Sequence, residues 1–327
     1  MRTFSAEHTR ALLMLLLANF FWGLSFPLVK GIVTLHEKLI PGASAWFSIV
    51  NTLAPRFVLA TAILVALRPT SCWRATAQEW KQGVILGLFA AGGMLCQNDG
   101  LKYTEASTSA FLTQLYAILI PVWVALRAQR NPGALVWTCC VLVLAGVSIL
   151  GQFNPLHLIG SGESRFGRGE WETLLASLFF MGQILTLGQK DYDGNRPLQI
   201  TFITFLVQGV IFAGLATAIA PSSAALLVPW TSPPWLILTF TLAVGCTLIA
   251  YSIMNAWQPK ISTTEAGLIY CIEPIFGSAI ALFFPGVLTA WIGIHYLNET
   301  ATWTLLVGGS LITIANVLLQ LNSPLKE

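Results

Sequence analysis

The chain has 327 residues, of which 55% are hydrophobic and only 9% charged. Soluble globular proteins carry about 25% charged residues, so the composition excludes an ordinary soluble domain and fits a protein embedded in a bilayer. A formal net charge of +3, with no runs of basic residues, gives no basis for a nucleic-acid partner.

A spanning helix needs about 20 mostly apolar residues. Arg2 and Arg10 precede "ALLMLLLANFFWGLSF", which resembles a signal peptide at first sight. The apolar run continues too far for that and lacks a small-residue cleavage site, so it reads as a retained first span, 11–31. Further spans are predicted at 44–67, 82–103, 107–126, 134–151, 171–189, 198–220, 235–257, 264–284 and 302–321. The expected fold is an all-α integral membrane protein with ten transmembrane helices and short links. Backbone polar groups in lipid must pair internally, which leaves helices as the reading.

Lys and Arg in the links set the expected orientation. With the N-terminus inside, the inner side holds Arg2, Arg10, Arg68, Arg74, Lys81, Arg127, Arg130, Lys190, Arg196, Lys260 and Lys326. The outer side holds Lys30, Lys38, Lys102, Arg165 and Arg168. Both termini are expected in the cytoplasm.

The two halves echo each other. "LATAI" occurs at 59–63 and 215–219, and "FFWG" (20–23) matches "FFMG" (179–182). Gly87 and Gly245, Gln97 and Asn255, and Lys102 and Lys260 share one offset of 158 residues. Five spans per half put the halves in opposite orientations, an inverted repeat common among transporters. The expected division is 1–152, a linker at 153–169, and 170–327, with a central cavity between the repeats.

Ionisable and polar groups within spans are costly and usually face a cavity. Ala266, Tyr270, Glu273 and Gly277 share one helical face in span 9. Glu273 could carry a coupling proton or hold a cationic group of a substrate. It could also pair with Arg56, or bond backbone freed by Pro274. Arg56, mid-span, keeps its charge and needs an acidic partner, a substrate anion or water. In span 1, Asn19, Trp22, Gly23 and Phe26 share a face, bent at Pro27. Gln97 and Asn98 in span 3, Ser109, Thr113 and Tyr116 in span 4, and Tyr251 and Asn255 in span 8 form further polar faces. Each alone reads as a helix–helix hydrogen bond; together they outline candidate cavity walls. Gly83, Gly87 and Ala91 read as a close-packing stripe. Trp73, Trp80, Trp171, Trp230, Trp235 and Trp257, near span ends, read as interface anchors.

Cys96, Cys139, Cys140, Cys246 and Cys271 lie in apolar runs and Cys72 in a loop, without CxxC or His/Cys spacing. Neither a disulfide framework nor a metal site is expected, and no cofactor. The four histidines lie at span ends or in loops, and no HExxH or Walker motif occurs. An intramembrane enzyme and ATP hydrolysis are therefore not expected.

"NFFWGLSFPLVK" (19–30), "PRFVLATAIL" (55–64), "GLKYTEASTSAFL" (100–112), "IEPIFGSAIALF" (272–283) and "YLNETATW" (296–303) resemble, in order and spacing, the EamA-type branch of the drug/metabolite transporter superfamily. The resemblance implies ten helices around a central cavity and secondary transport of small metabolites, often outward. Two departures stand out. Gln129 occupies a position where the family carries Glu, whereas Glu299 is kept in the second half. "PGVLTAWIGIHYLN" (285–298) is an insertion, read as an interfacial or broken helix with Trp291 as anchor.

The expected function is export of amino acids or similar small polar metabolites by alternating access, with Glu273 as the candidate coupling group. The expected partners are that substrate and the lipid bilayer, with the chain a monomer or homodimer. The family and the short loops suggest a bacterial inner membrane. A non-transporting receptor or assembly subunit, and a passive channel, are the alternatives.

Overall fold

A computed structural model describes residues 6–127, 129, 131, 133–150 and 167–322. The expected linker 153–169 therefore lies almost wholly outside the described residues, as do Arg2, Arg130, Arg165 and Lys326 of the orientation argument.

The described elements are helical throughout. In chain order they are α1 (Ala6–Leu39), α2 (Ala45–Leu67), α3 (Pro69–Cys72), α4 (Ala77–Tyr103), α5 (Ala106–Thr113), α6 (Tyr116–Arg127), α7 (Ala134–Leu150) and α8 (Arg168–Leu187). They continue with α9 (Pro197–Ile219), α10 (Ser223–Leu227), α11 (Pro233–Thr241), α12 (Ala250–Trp257), α13 (Thr263–Tyr270), α14 (Glu273–Ala281), α15 (Phe284–Ile292) and α16 (Trp303–Asn322).

Helix occupies each of the ten apolar stretches, and among the described residues six helical segments are long and apolar enough to cross a bilayer. They are Ala6–Leu39, Ala45–Leu67, Ala77–Tyr103, Ala106–Arg127, Pro197–Ile219 and Pro233–Lys260. A seventh is added if α14 and α15, bent by 47° at their junction, count as one. The shortfall against ten has visible sources. The apolar parts of α7 and α16 are short, α8 opens with Arg168, Glu170 and Glu172, and the span expected at 264–284 is interrupted after Tyr270. The insertion forms α15 and the extended stretch after it. Gly293 ends this helix at φ 64°, a left-handed conformation that glycine adopts without strain.

Side chains set the helix starts. Thr76 and Glu79 form a capping box at α4, the Thr76 hydroxyl accepting from Glu79 N and the Glu79 carboxylate from Thr76 N. The free amides of α5 are capped from far along the chain: Glu299 accepts from Ala106 N at 2.7 Å and Ser107 N at 3.2 Å. Gln129, read from the sequence as the matching position of the first half, sits in a turn at φ 51°.

Close packing rests on glycine. A Cβ on Gly83 or Gly87 would collide with Ile203 or Val207 of α9, so the predicted stripe seats α4 on α9. On its other flank, Gly92 and Gly93 receive the rings of Phe179 and Phe180 of α8, and Gly182 receives Phe89. Gly100 meets Gly169 backbone to backbone. Ion pairs hold both ends of α4. At its start Arg196 bonds the buried Glu79 with Nε at 2.7 Å and Nη2 at 2.8 Å. At its other end Arg168 bonds the fully buried Asp99 and reaches Glu172 at 2.7 Å.

Arg56 lies at 1% exposure in α2. It has neither Glu273 nor any other carboxylate among its described partners. Its Nε donates to Thr247 Oγ1 at 2.5 Å and its Nη2 to the Cys246 carbonyl at 3.2 Å. Both acceptors sit in Leu242–Ile249, a π-helical stretch joining α11 to α12. Trp235, expected at an interface, is fully buried instead, its Nε1 donating to His36 Nε2 at 2.8 Å. That bond puts the His36 proton on Nδ1, which faces the Ser48 carbonyl at 3.1 Å. Trp73, Trp171, Trp230 and Trp291 are exposed, as anchors would be.

Candidate functional site

The bundle interior holds a cavity of about 50 Å³. Its walls come from both halves of the chain: Trp22 and Ser25 of α1, Met94 and Gln97 of α4, Thr113 of α5 and Tyr116 of α6. The remainder are Phe180, Gln183 and Ile184 of α8, Tyr251 and Met254 of α12, Tyr270 of α13 and Glu273 of α14.

Two interrupted helices meet there. The chain leaves regular α-helix for two residues between Thr113 and Tyr116, within the span Ala106–Arg127, and again between Tyr270 and Glu273. All four flanking residues line the cavity. Thr113 and Tyr270, like Tyr116 and Glu273, are 157 residues apart in the chain. The two interruptions thus lie at one constant separation along the chain. In the second break Pro274 lacks an amide proton, which suits it to the first turn of α14. Asn19 secures this break from α1: its Nδ2 donates to the Ile269 carbonyl at 3.1 Å and to the Leu15 carbonyl at 2.8 Å.

Three aromatic rings form one side of the cavity. Trp22 meets Tyr251 edge-on at 5.6 Å and Tyr270 at 5.5 Å between ring centroids. Tyr270 Oη donates to Gln258 Oε1 at 2.9 Å, and Gln258 Nε2 donates to the Ile184 carbonyl at 3.1 Å, so that ring is fixed. Across the cavity Gln97 Nε2 donates to Thr113 Oγ1 at 3.0 Å, and Thr113 donates on to the Ser109 carbonyl at 2.8 Å. Among the described residues, the Glu273 carboxylate has no hydrogen-bond or ion-pair partner, and the Trp22 indole N–H has none either. Glu273 is 7% exposed, and the space it reaches is the cavity. A carboxylate and an indole donor thus border a largely apolar hole, the usual composition of a small-ligand site.

Of the residues singled out in the sequence, Trp22, Gln97, Thr113, Tyr116, Tyr251, Tyr270 and Glu273 line this cavity. Asn19, Arg56, Asn98 and Asn255 do not. Asn19 braces the α13–α14 break, and Arg56 grips the π stretch that leads to Tyr251. Asn98 Nδ2 donates to the Met94 carbonyl at 2.7 Å, and Asn255 Nδ2 to Thr201 Oγ1 at 2.8 Å. Ser25, Met94, Phe180, Gln183, Ile184 and Met254 are wall residues that the sequence did not single out. Gln183 carried a signal, a lone amide in an apolar run of span 6. The others are apolar or hydroxyl side chains that look like any packing residue.

Residues 9–152 match the EamA-like transporter family. Two proteins of Archaeoglobus fulgidus, each named "uncharacterized transporter", are similar over much of the chain. One is 24% identical over 94% of this chain and 96% of its own length. The other is 25% identical over 80% of this chain and 74% of its own. A solved crystal structure shares the fold at a TM-score of 0.55 and 16% identity, covering 93% of this chain and 97% of that one.

Proposed function

We propose that this multi-pass membrane protein is a secondary-active transporter of the EamA-like kind, and that the cavity at the two helix breaks is its midplane substrate site. The observation that carries this reading is the pair of breaks at corresponding positions, both opening on one cavity. Interrupted helices in matching positions of two repeats are a strong pointer to a transport site. In this reading residues 1–152 and 170–327 are two inverted five-helix repeats that rock about the site, and both termini are cytoplasmic.

The wall chemistry suits a small amino-bearing metabolite of the amino-acid kind. Glu273 and the faces of Trp22, Tyr251 and Tyr270 would take an ammonium group. The amides of Gln97 and Gln183 and the Trp22 N–H would take a carboxylate. Glu273, with no protein cation beside it, would exchange a proton for that ammonium, which couples the two fluxes. The cavity at about 50 Å³ holds a water or two, whereas ligand pockets run to about 300–1,000 Å³. The described conformation is therefore a contracted one, and the halves must part to admit substrate. Direction is taken as outward.

The test is an efflux screen. Cells expressing the wild type or Glu273→Gln are loaded with mixed amino acids and metabolites, and the medium is profiled over time. Saturable, selective efflux lost in the Gln variant supports the site. Efflux that survives Glu273→Gln removes Glu273 from the mechanism. Efflux that does not saturate points to a passive channel, and no flux in either direction supports a receptor or assembly subunit.

A further inference from the structure

We infer that a groove between α6 and α8, on the outside of the bundle, binds one anionic phospholipid, with its phosphate on Arg127 and an acyl chain laid along the helices. The groove encloses about 720 Å³, inside the range of about 300–1,000 Å³ typical of ligand pockets. It shares no lining residue with the central cavity.

Helical spacing builds the groove. Trp123 and Arg127 stand one turn apart on α6, Ile85 and Phe89 one turn apart on α4, and Leu178, Met181 and Leu185 follow one face of α8. The neighbouring face of α8, with Phe180, Gln183 and Ile184, serves the cavity instead. Gly182 lies between Met181 and Leu185 on the chain, and the Phe89 ring occupies the place its side chain would take, which keeps the floor low. Trp123 is 49% exposed and Leu178 46%, so the groove opens towards the surroundings of the bundle.

Its chemistry changes along its length. One end carries Arg127, Thr186 and Gln189, where α6 and α8 finish. Deeper in, Phe89, Trp123, Leu178 and Met181 are the walls. Leu178 is about 14 Å of helix from the Leu187 end of α8. A polar mouth above an apolar trench is the complement of an amphiphile.

The charge at the mouth selects the head. The apolar span Ala106–Arg127 ends on Arg127, which puts the guanidinium at headgroup depth. Arg127 is exposed, and among the described residues the ion pairs engage Lys30, Lys102, Arg168, Arg196 and Lys260 but not Arg127. Glu265, two residues past the groove residue Thr263, directs a carboxylate oxygen to Ser262 N and Oγ, both at 3.0 Å. An unpaired guanidinium suits a phosphate, which it can hold through two parallel bonds. Basic pockets between spanning helices are established places for anionic headgroups. A second copy of this chain would have to bring an acid and an apolar ridge to the same place, whereas one phospholipid carries both.

The experiment is native mass spectrometry of the purified full chain released from detergent, titrated with phosphatidylglycerol or with phosphatidylcholine of the same acyl chains. The wild type should retain one phosphatidylglycerol at concentrations where phosphatidylcholine is not retained. Arg127→Gln should weaken that retention about fivefold, the factor for one basic residue at a lipid surface. Leu178→Trp and Met181→Trp, which fill the trench and leave Arg127 in place, should weaken it as well. Unchanged size-exclusion profiles establish that the variants fold, and Leu178, being half exposed, is the milder of the two trench sites. Equal retention of the two lipids overturns the inference, as does an Arg127→Gln protein that binds like the wild type. Trench variants that keep the lipid would reduce it to attraction by surface charge and also overturn the acyl-chain site. A dimer peak abolished by Leu178→Trp would assign the groove to a second copy. Inorganic phosphate that raises the melting temperature as phosphatidylglycerol does would assign Arg127 to free phosphate. Glu273→Gln should retain the lipid as the wild type does, so the result stands apart from the transport reading.

Discussion

Replacing Thr247 with Val tests the Arg56 grip on the π-helical stretch. Valine keeps the shape and removes the acceptor of the 2.5 Å bond from Arg56 Nε. Arg56 is 1% exposed and holds one other described acceptor, the Cys246 carbonyl at 3.2 Å. Hydrogen bonds to charged groups contribute about 1.5–3 kcal/mol, so Thr247→Val should cost about 2 kcal/mol. Arg56→Met leaves the Cys246 carbonyl without its guanidinium donor, at about 1–3 kcal/mol. It also removes the desolvated charge, so the double variant should be less damaging than the sum of the singles, by about 1–2 kcal/mol. The assay is reversible unfolding in mixed micelles, followed by tryptophan fluorescence against denaturing detergent. A Thr247→Val protein within about 0.5 kcal/mol of wild type, or a strictly additive double variant, would show that the contact does not hold the helix.

Gly100→Val should cost about 1–3 kcal/mol, because a Cβ there would lie 2.7 Å from the Gly169 carbonyl oxygen, whereas Gly214→Ala, with nothing within 4 Å, should be neutral or stabilising; thermal unfolding in detergent compares the two. Arg196→Ala strips two bonds from buried Glu79 but leaves those from Thr76 N and Arg196 N. With Arg196 half exposed, the loss should be about 1–3 kcal/mol, and Arg196→Lys should not restore it, since lysine lacks the bidentate fork; urea or detergent midpoints decide. Burial, followed by the neighbouring Glu105, raises the Glu299 carboxyl above its ordinary value, against the lowering effects of Ser107 and Lys30. Its folded form thus binds a proton more tightly than the unfolded chain, and its stabilising contribution is present below the ordinary carboxylate value and lost as pH rises through the raised one. Melting temperatures of wild type should fall across that window and those of Glu299→Gln should not; parallel curves would refute the assignment.

Hydropathy made the helices legible, because a lipid-facing helix must be apolar along its whole length. Six of these helices among the described residues, or seven with the bent pair, are long and apolar enough to cross a bilayer. Nothing in apolar content marks the interruption after Tyr270, and Pro274 alone is compatible with either a kink or a break. Glu273 was legible because a lone carboxylate in an apolar run has to face something other than lipid. Arg56 was equally conspicuous, yet its partners came from a hydroxyl and a carbonyl almost two hundred residues away. Such a pairing depends on which helices touch, and no spacing encodes that. Trp235 misled for the opposite reason. It lies near a span end like the exposed indoles, and only contact with His36 reveals it as a core residue. The Asp99–Arg168 ion pair was invisible because its members are distant in the chain. The apolar walls of the cavity, Met94, Phe180, Ile184 and Met254, left no trace because packing and lining use the same side chains.

Both ends of α4 are fastened to the second half of the chain, by Glu79 to Arg196 and by Asp99 to Arg168. The helix is thus a strut with a latch at each tip. A strut released at one tip pivots on the other, and its middle, where Met94 and Gln97 face the cavity, swings with the free end. The two latches differ in kind. One is a bidentate pair with backbone donors behind it, and the other has a single cation shared by two acids. On the transport reading, unequal latches would give the rocking a preferred fulcrum, with one tip of this helix stiffer than the other.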